Sequence, residues 1–428
     1  MRDEPFFCSR FLGVLSMWFR SLSSCFCSVL LALAGPAFAE EDADIVAWET
    51  FMEAARDAGS RFLRDHSQGS DVERATALMY MTQQLAVSVQ QSVADADTSL
   101  PLLRLGATNI NKWGLDSADA RYLGAALRDD GTYRLFGTLG SAKLSAIQVV
   151  TDYPRFQAHA SLDGSELQVN TDGRFEVRLG RGARPADWHG PWLPIAEGAN
   201  RLLIREYFGD WTQERPGAWT LERMEAGRID ATRHADVAAA SRQLKEMVDR
   251  FSYRLNVWMP WLATTRTERL NTLQQLSPSG QGLQNNVYGE GWFSLADDEV
   301  LLIVLDAPDA DLWSLQLGNI WWESLDYIHR TGSINGSQAQ PDPDGRYRII
   351  VGSGDPGYAN WLDTGGANEG AMMYRYLNSR TAPVPQVLLL PSSQLAQHMP
   401  VGAAVVMPAE RARQITLRRQ HALKRWSP

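Results

Sequence analysis

The chain has 428 residues, with 41 Lys and Arg against 50 Asp and Glu, for a formal net charge of −9. Hydrophobic residues make up 44% and charged residues 21%, an ordinary globular composition with room for two or three domains at roughly 150 residues each. The acidic balance argues against a nucleic-acid partner, which needs a basic face.

Residues 1–39 read as a targeting segment. Arg20 precedes the apolar run from Cys25 to Leu33, and Ala37-Phe38-Ala39 gives a small-x-small exit before Glu40 and Glu41. A basic flank, a short apolar run and such an exit make a secretory signal peptide, cleaved after Ala39. The run is too short to span a bilayer comfortably. The leading region is long and carries Asp3 and Glu4, so Met17 is an alternative start. The expected address is periplasmic or secreted. All three cysteines, Cys8, Cys25 and Cys27, lie in this segment, so the mature chain is expected to hold no thiol, disulfide or Cys-bound metal. No membrane span is expected after the signal is removed.

A helical region is expected over 40–120. Trp48, Phe51, Met52, Ala55, Phe62 and Leu63 recur at helix spacing, and Gly69 breaks the run. Ser70 and Glu73 then match a capping box. Leu78, Met79, Leu85 and Val89 form the stripe of a second helix, and these apolar residues are expected to be core. Over 121–228 the period falls to two, with strand-like runs at 132–136, 144–150, 168–169, 175–179 and 202–208. Residues 229–286 form a helical connector with Leu244, Met247, Val248, Phe251 and Leu255 on one face, and Pro260 ends or kinks it. A second β domain occupies 287–392. Residues 393–428 give a basic C-terminal helix, with Leu417, Leu423 and Trp426 available to dock.

The two β stretches repeat one another. Leu127-Arg128-Asp129-Asp130 aligns with Leu295-Ala296-Asp297-Asp298, and Leu144-Ser145 with Trp313-Ser314. Asp172-Gly173-Arg174-Phe175 aligns with Asp344-Gly345-Arg346-Tyr347, Trp192-Leu193 with Trp361-Leu362, and Ile204 to Tyr207 with Met373 to Tyr376. Five matches in one order, drifting only slightly, imply a duplication. The fold class is therefore mainly β with α: two related antiparallel β-sandwich-like domains, joined by helical segments and followed by a C-terminal helix.

The halves differ at the loop running from Gly354 to Gly366, which is rich in glycine and polar side chains. Asn360-Trp361-Leu362-Asp363-Thr364-Gly365-Gly366, with Met373-Tyr374-Arg375-Tyr376, resembles the bacterial domain-of-unknown-function family numbered 1214, which often accompanies family 1254. Asn111 to Tyr122 resembles that family's lead-in to its first β domain, and the Arg-rich C-terminal helix fits as well. The resemblance implies a β-sandwich architecture and leaves activity undefined. The first half carries Pro194 where the motif would continue, so no role of Asp363 transfers there.

Chemistry is sparse. The seven histidines form no i,i+2 or i,i+4 pair, which argues against a transition-metal site. Asp342-Pro343-Asp344-Gly345 does not complete an EF-hand. Gly352 to Gly357 is neither a P-loop nor a dinucleotide fingerprint, and no cofactor is expected. Candidate acid–base residues are Asp363, Asp116, Lys112 and Tyr122, since a carboxylate beside aromatics can hold its proton. Candidate ligand-binding residues are Trp361, Asn360, Tyr358, Trp321 and Trp322. Trp321 and Trp322 cannot both face inward on a strand, so one is expected to be exposed or covered by another domain. The leading reading is an exported protein binding a small organic or carbohydrate-like ligand through the second β domain. The alternatives are a cofactor-independent hydrolase or lyase and a structural interaction module.

Overall fold

The computed structural model describes residues 37–98, 100–224, 236–277 and 285–425. Most of the expected signal segment, the start of the connector at Ile229 and Trp426 lie outside the described residues. Two helices come first, α1 (Ala37–His66) and α2 (Asp71–Ala94). Then follow β1 (Arg104–Leu105), β2 (Ala120–Ala126), β3 (Tyr133–Thr138), β4 (Leu144–Thr151), β5 (Gln157–Asp163), β6 (Arg174–Gly180), β7 (Trp192–Pro194), β8 (Arg201–Tyr207) and β9 (Ala218–Arg223). Helices α3 (Val237–Asn256) and α4 (Met259–Glu268) lead to the second set. Its strands are β10 (Gln274–Gln275), β11 (Val287–Ser294), β12 (Glu299–Leu305), β13 (Ala310–Gly318), β14 (Ser333–Asn335), β15 (Tyr347–Gly352), β16 (Trp361–Asp363), β17 (Glu369–Ser379) and β18 (Gln386–Pro391). The short α5 (Leu395–His398) and then α6 (Pro408–Lys424) follow.

The two strand sets build the same object twice. The five-stranded sheets run β1-β2-β8-β4-β5 and β10-β11-β17-β13-β14. The four-stranded sheets run β7-β6-β3-β9 and β16-β15-β12-β18. Register agrees as well as order. Leu144 stands opposite Tyr207 in the first domain, and Trp313 opposite Tyr376 in the second. Leu179 pairs with Leu193, and Val351 with Leu362. The aligned glycines Gly173 and Gly345 both have φ of +80°. Chain distances, pairings and turn geometry therefore all report one duplication. Each domain departs from all-antiparallel pairing at one edge, where β7 runs parallel to β6 and β16 parallel to β15. The long loops before β7 and β16 let the chain return in the same direction.

Each domain has one core closed between its two sheets. In the first, Ile147, Val149 and Ile204 face Leu135, Val177 and Leu179. In the second, Trp313, Leu315 and Tyr374 face Ile303, Ile349 and Val351. Phe175, Val177 and Leu179 alternate with the more exposed Arg174, Glu176 and Arg178, so β6 has one wet face. β13 and β17 do not alternate, because both faces are covered. Their outer side meets the first domain through Leu312 and Leu377, and the helical layer through Ala371 and Met373.

Several elements differ from the sequence expectation. Residues 168–169 are a loop, while β5 and β9 carry no clear alternation and were not anticipated. The helical run breaks at Val257 and Trp258, as expected next to Pro260, which itself sits in the first turn of α4, where its missing N–H costs nothing. Trp48, Met52, Leu78, Met79 and Val89 are exposed rather than core. α2 instead turns Ala77, Tyr80, Gln84, Ser88 and Gln91 inward. Gln84 accepts from Arg254 Nε at 2.9 Å and donates to the Lys112 carbonyl at 3.1 Å. Gln91 donates to Asp152 at 3.1 Å.

Helix α6 docks by its arginines, not by Leu417 and Leu423, which are exposed. Arg411, Arg418 and Arg425 recur every seventh residue and so share one face. Arg411 donates to Asp355 at 3.0 Å and to the carbonyls of Tyr358 and Ala359. Arg418 donates to the Tyr327 carbonyl at 2.6 Å and to Ser333 Oγ at 2.6 Å. Arg425 donates to the Ala118 carbonyl at 2.7 Å and lies over the Trp211 ring.

Because Gly173 and Gly345 occupy the same left-handed turn in the two halves, Gly173→Ala and Gly345→Ala should each cost about 1–2 kcal/mol. Urea midpoints measure this. Equal losses are expected, since neither site has an atom close enough to clash with an added Cβ.

Candidate functional site

The segment from Lys112 to Tyr122 crosses the junction of the helical layer and the two β domains. It turns through two consecutive left-handed residues, Gly114 with φ of +67° and Leu115 with φ of +48°. Leu115 accepts this conformation because it is buried and its N–H donates to the Trp322 carbonyl at 2.7 Å. The turn aims the following polar groups into the interface. The Ala118 N–H donates to Gln316 Oε1, and Gln316 Nε2 donates to the Asp116 carbonyl at 2.7 Å. Arg375 also donates to Gln316 and to the Leu115 carbonyl.

Lys112, Asp116 and Tyr122 are brought near one another here. Lys112 Nζ donates to the Ser324 carbonyl at 2.6 Å. Asp116 Oδ2 accepts from Ser324 Oγ at 3.1 Å, and Asp116 Oδ1 is buried with no hydrogen-bond partner among the described residues. Burial raises the Asp116 carboxyl above its ordinary range, with Lys112 pulling the other way. Burial likewise raises the Tyr122 phenol, whose oxygen accepts from the Ser117 N–H at 3.1 Å. Asp119 is not part of this group. It accepts from Trp211 Nε1 at 2.9 Å and from Asn335 Nδ2 at 2.6 Å, joining the two domains.

Glu323 belongs to this cluster and was not anticipated. Burial pushes its carboxyl up to about 7, against Asn319 and Lys112. Its Oε2 accepts from Asn319 at 2.8 Å, while Oε1 is buried with no hydrogen-bond partner among the described residues. The signal was available: a lone Glu directly after Trp321-Trp322 is a carboxylate set among aromatics.

Asp363 lies elsewhere. It ends β16, pairs with Arg330 at 2.8 Å and accepts from the Gly365 N–H at 2.8 Å. These partners do not overlap with those of Lys112, Asp116 or Tyr122, so the four candidates are not one constellation. In the first domain Pro194 takes the position of Asp363, paired with Gly180 as Asp363 is with Gly352.

The candidate binding residues turn inward as well. Asn360 is buried and fully used: it donates to the carbonyls of Gln340 and Arg348 and accepts from the Gln340 N–H. Trp361 is buried, and its Nε1 donates to the Gly352 carbonyl at 3.0 Å. Tyr358 is half-buried, and its carbonyl accepts from Arg411. The crevice beside Tyr358 and Asn360, floored by Asp342 and Arg348, has a volume of about 10 Å³. That is room for one water. Asp342 and Asp344 both pair with Arg348.

Trp321 and Trp322 are both buried. Strand alternation does not apply to them, because residues 319–323 form a turn with Trp322 at φ of +62°. The helical layer covers the pair. Trp321 stacks on Tyr80, packs against Phe62 and donates from Nε1 to Thr76 Oγ1 at 3.0 Å. Among the described residues, no group of three or more His, Cys, Asp or Glu is placed to hold a metal ion, and no helix is long and apolar enough to cross a membrane.

This architecture defines a duplicated two-sheet β domain capped by helices. The model of the family described as "Protein of unknown function (DUF1214)" matches residues 142–210 and 298–381, one stretch in each β domain. The resemblance read from the Asn360–Gly366 motif is thereby shown. An uncharacterized protein from Burkholderia cenocepacia has a similar crystal structure, with a TM-score of 0.76, 27% identity, and coverage of 81% of this chain and 97% of its own. A Vibrio parahaemolyticus protein covers 73% of this chain and 98% of its own, at 12% identity and a TM-score of 0.41, too low to carry an argument. No curated protein matches the sequence.

Two predictions follow from the junction. Arg418→Met removes the donors to Tyr327 and Ser333 and should lower stability by roughly 2 kcal/mol, read from a thermal or urea transition. Glu323 holds its proton up to about pH 7 when folded but loses it near its ordinary value when unfolded. The folded state therefore binds more protons between about pH 4.5 and 7, and stability falls as pH rises through that window. Glu323→Gln should remove that slope, on the order of 3 kcal/mol between pH 4 and 8. Parallel curves for the two proteins would contradict the assignment.

Proposed function

We propose that this protein is exported and works in the periplasm or beyond as an interaction module, not as a small-ligand binder or an enzyme. The observation that carries the reading is the use of Asn360 and Trp361. Both spend their polar side-chain atoms on backbone within the second β domain, Asn360 on Gln340 and Arg348 and Trp361 on Gly352, and the adjoining crevice has a volume of about 10 Å³. Sites for small organic molecules are typically some 300–1,000 Å³. The Lys112–Asp116–Glu323 group sits in a packed junction, with Lys112 Nζ, Asp116 Oδ2 and Glu323 Oε2 engaged by neighbouring chain and Asp116 Oδ1 and Glu323 Oε1 left without a hydrogen-bond partner among the described residues. A buried polar network of this kind specifies how parts fit together. Export is supported by the layout of residues 1–39.

The apolar side chains left exposed support a macromolecular partner. Trp48, Met52, Val72, Met79 and Val93 all lie on the N-terminal helical layer. Grouped exposed apolar residues commonly mark protein contacts. A thermal-shift screen against mono- and oligosaccharides and small organic acids tests the reading. No saturable rise in midpoint is expected, whereas a ligand that binds the folded state would raise it in a concentration-dependent way. Such a rise, abolished by Trp361→Ala, would overturn the reading.

A further inference from the structure

Helix α2 is apolar on both sides, burying Ala77, Tyr80 and Val87 while leaving a second set of apolar residues in solvent. Its inward face carries Gln84, Ser88, Gln91 and Ser92, all buried and hydrogen-bonded to the helix backbone, α3 or the first β domain. Its outward face carries Val72, Ala75, Met79, Thr82, Ala86, Val89 and Val93, every one of them exposed. Val72, Met79 and Val93 are 72%, 70% and 62% exposed. The spacing of those seven residues is 3-4-3-4-3-4. A helix that merely covers a core carries polar or charged residues on its solvent side, and here that side is mostly apolar. Mostly apolar residues at alternating heptad positions are the seam pattern of two helices packed knobs into holes, here with Thr82 as the one polar member.

We infer that this seam pairs with the same helix of a second copy of the chain. The inference deepens the interaction reading above and rests on it. Charge selects the occupant. No charged residue lies between Ala75 and Ala94, in a chain of net charge −9. Along such a stretch two like-charged copies meet without repulsion. Between Ala75 and Ala94 the positions flanking the seam, Thr76, Gln83 and Gln90 on one side and Leu78 and Leu85 on the other, are uncharged as well, and Asp71 stands beside only its first residue. Flanking charges are what direct a helix to a partner of opposite sign, and from Ala75 to Val93 this seam has none. The seam runs about 30 Å at 1.5 Å per residue. At its C-terminal end it runs into a shallow, open depression in which Val89, Val93, Leu100 and Leu102 are the large apolar side chains and Asp97 the one charge. That depression extends the surface a partner copy would cover.

Sedimentation equilibrium of the purified chain at micromolar concentration is the test, with Met79→Glu and Val89→Glu as variants. The wild type is expected to have twice the mass of one chain, and each variant the mass of one, with unchanged circular dichroism. A second measurement does not depend on those variants. Thr82 lies midway along the seam, so full overlap brings the two Thr82 side chains together whichever way the helices run. Thr82→Cys, in a chain whose three native cysteines are serine, should oxidise to a disulfide-linked dimer, the two thiols losing two electrons and two protons to the added oxidant. A wild type of single-chain mass overturns the inference, as does a dimer that both glutamate variants leave intact. A single-chain wild type that instead binds a different protein overturns self-pairing while the interaction reading stands.

Discussion

Arg411, Arg418 and Arg425 stand seven residues apart on α6 and tie one helix to three separate parts of the molecule. The first holds the Asp355–Ala359 loop of the second β domain. The second holds the segment around Tyr327 and Ser333. The third reaches Ala118 and Trp211 in the first domain and its lead-in. A guanidinium has five donors in a fixed plane, which suits it to collecting backbone carbonyls from chains that do not otherwise meet. The polar loop between Gly354 and Gly366 makes sense in these terms. Its first half folds back so that the Asp355 carboxylate and the carbonyls of Tyr358 and Ala359 receive Arg411.

The same constraint explains how the duplicated halves diverged. The first domain keeps one wet face on its four-stranded sheet, with Arg and Glu alternating along β6. In the second the matching strand, β15, is buried on both sides from Ile349 to Gly352. The second domain's aromatic richness answers that demand, since large rings fill interfaces between layers. Asp363, where the first half has Pro194, pairs with Arg330 in a contact the first domain does not need.

Much of the fold was legible in the sequence. The change from a period near 3.6 to a period of two placed the helical and β regions, and the five aligned segments revealed the duplication down to register. Trp192 and Trp361 were aligned by sequence, and each opens the parallel edge strand of its domain. What periodicity does not encode is which face of a helix meets the body. α2 has two plausible stripes, and the more polar one is buried because Gln84 and Gln91 find partners across the interface. The docking face of α6 was missed for the same reason, since arginine at every seventh position looks like a solvated stripe until its carbonyl acceptors are in place. The candidate site was legible only as residue types. Asp116, Lys112 and Tyr122 do meet, but Asp363 does not join them, and Glu323 completes the group from a segment some 200 residues away.

The fold thus turns polar and aromatic residues toward itself and an uncharged apolar helix face toward solvent. Native mass spectrometry of the protein drawn from the cells that make it tests that account most directly. A mass of two chains, carrying no stoichiometric small molecule, is the result the account predicts. A single chain holding one small molecule per copy would contradict it.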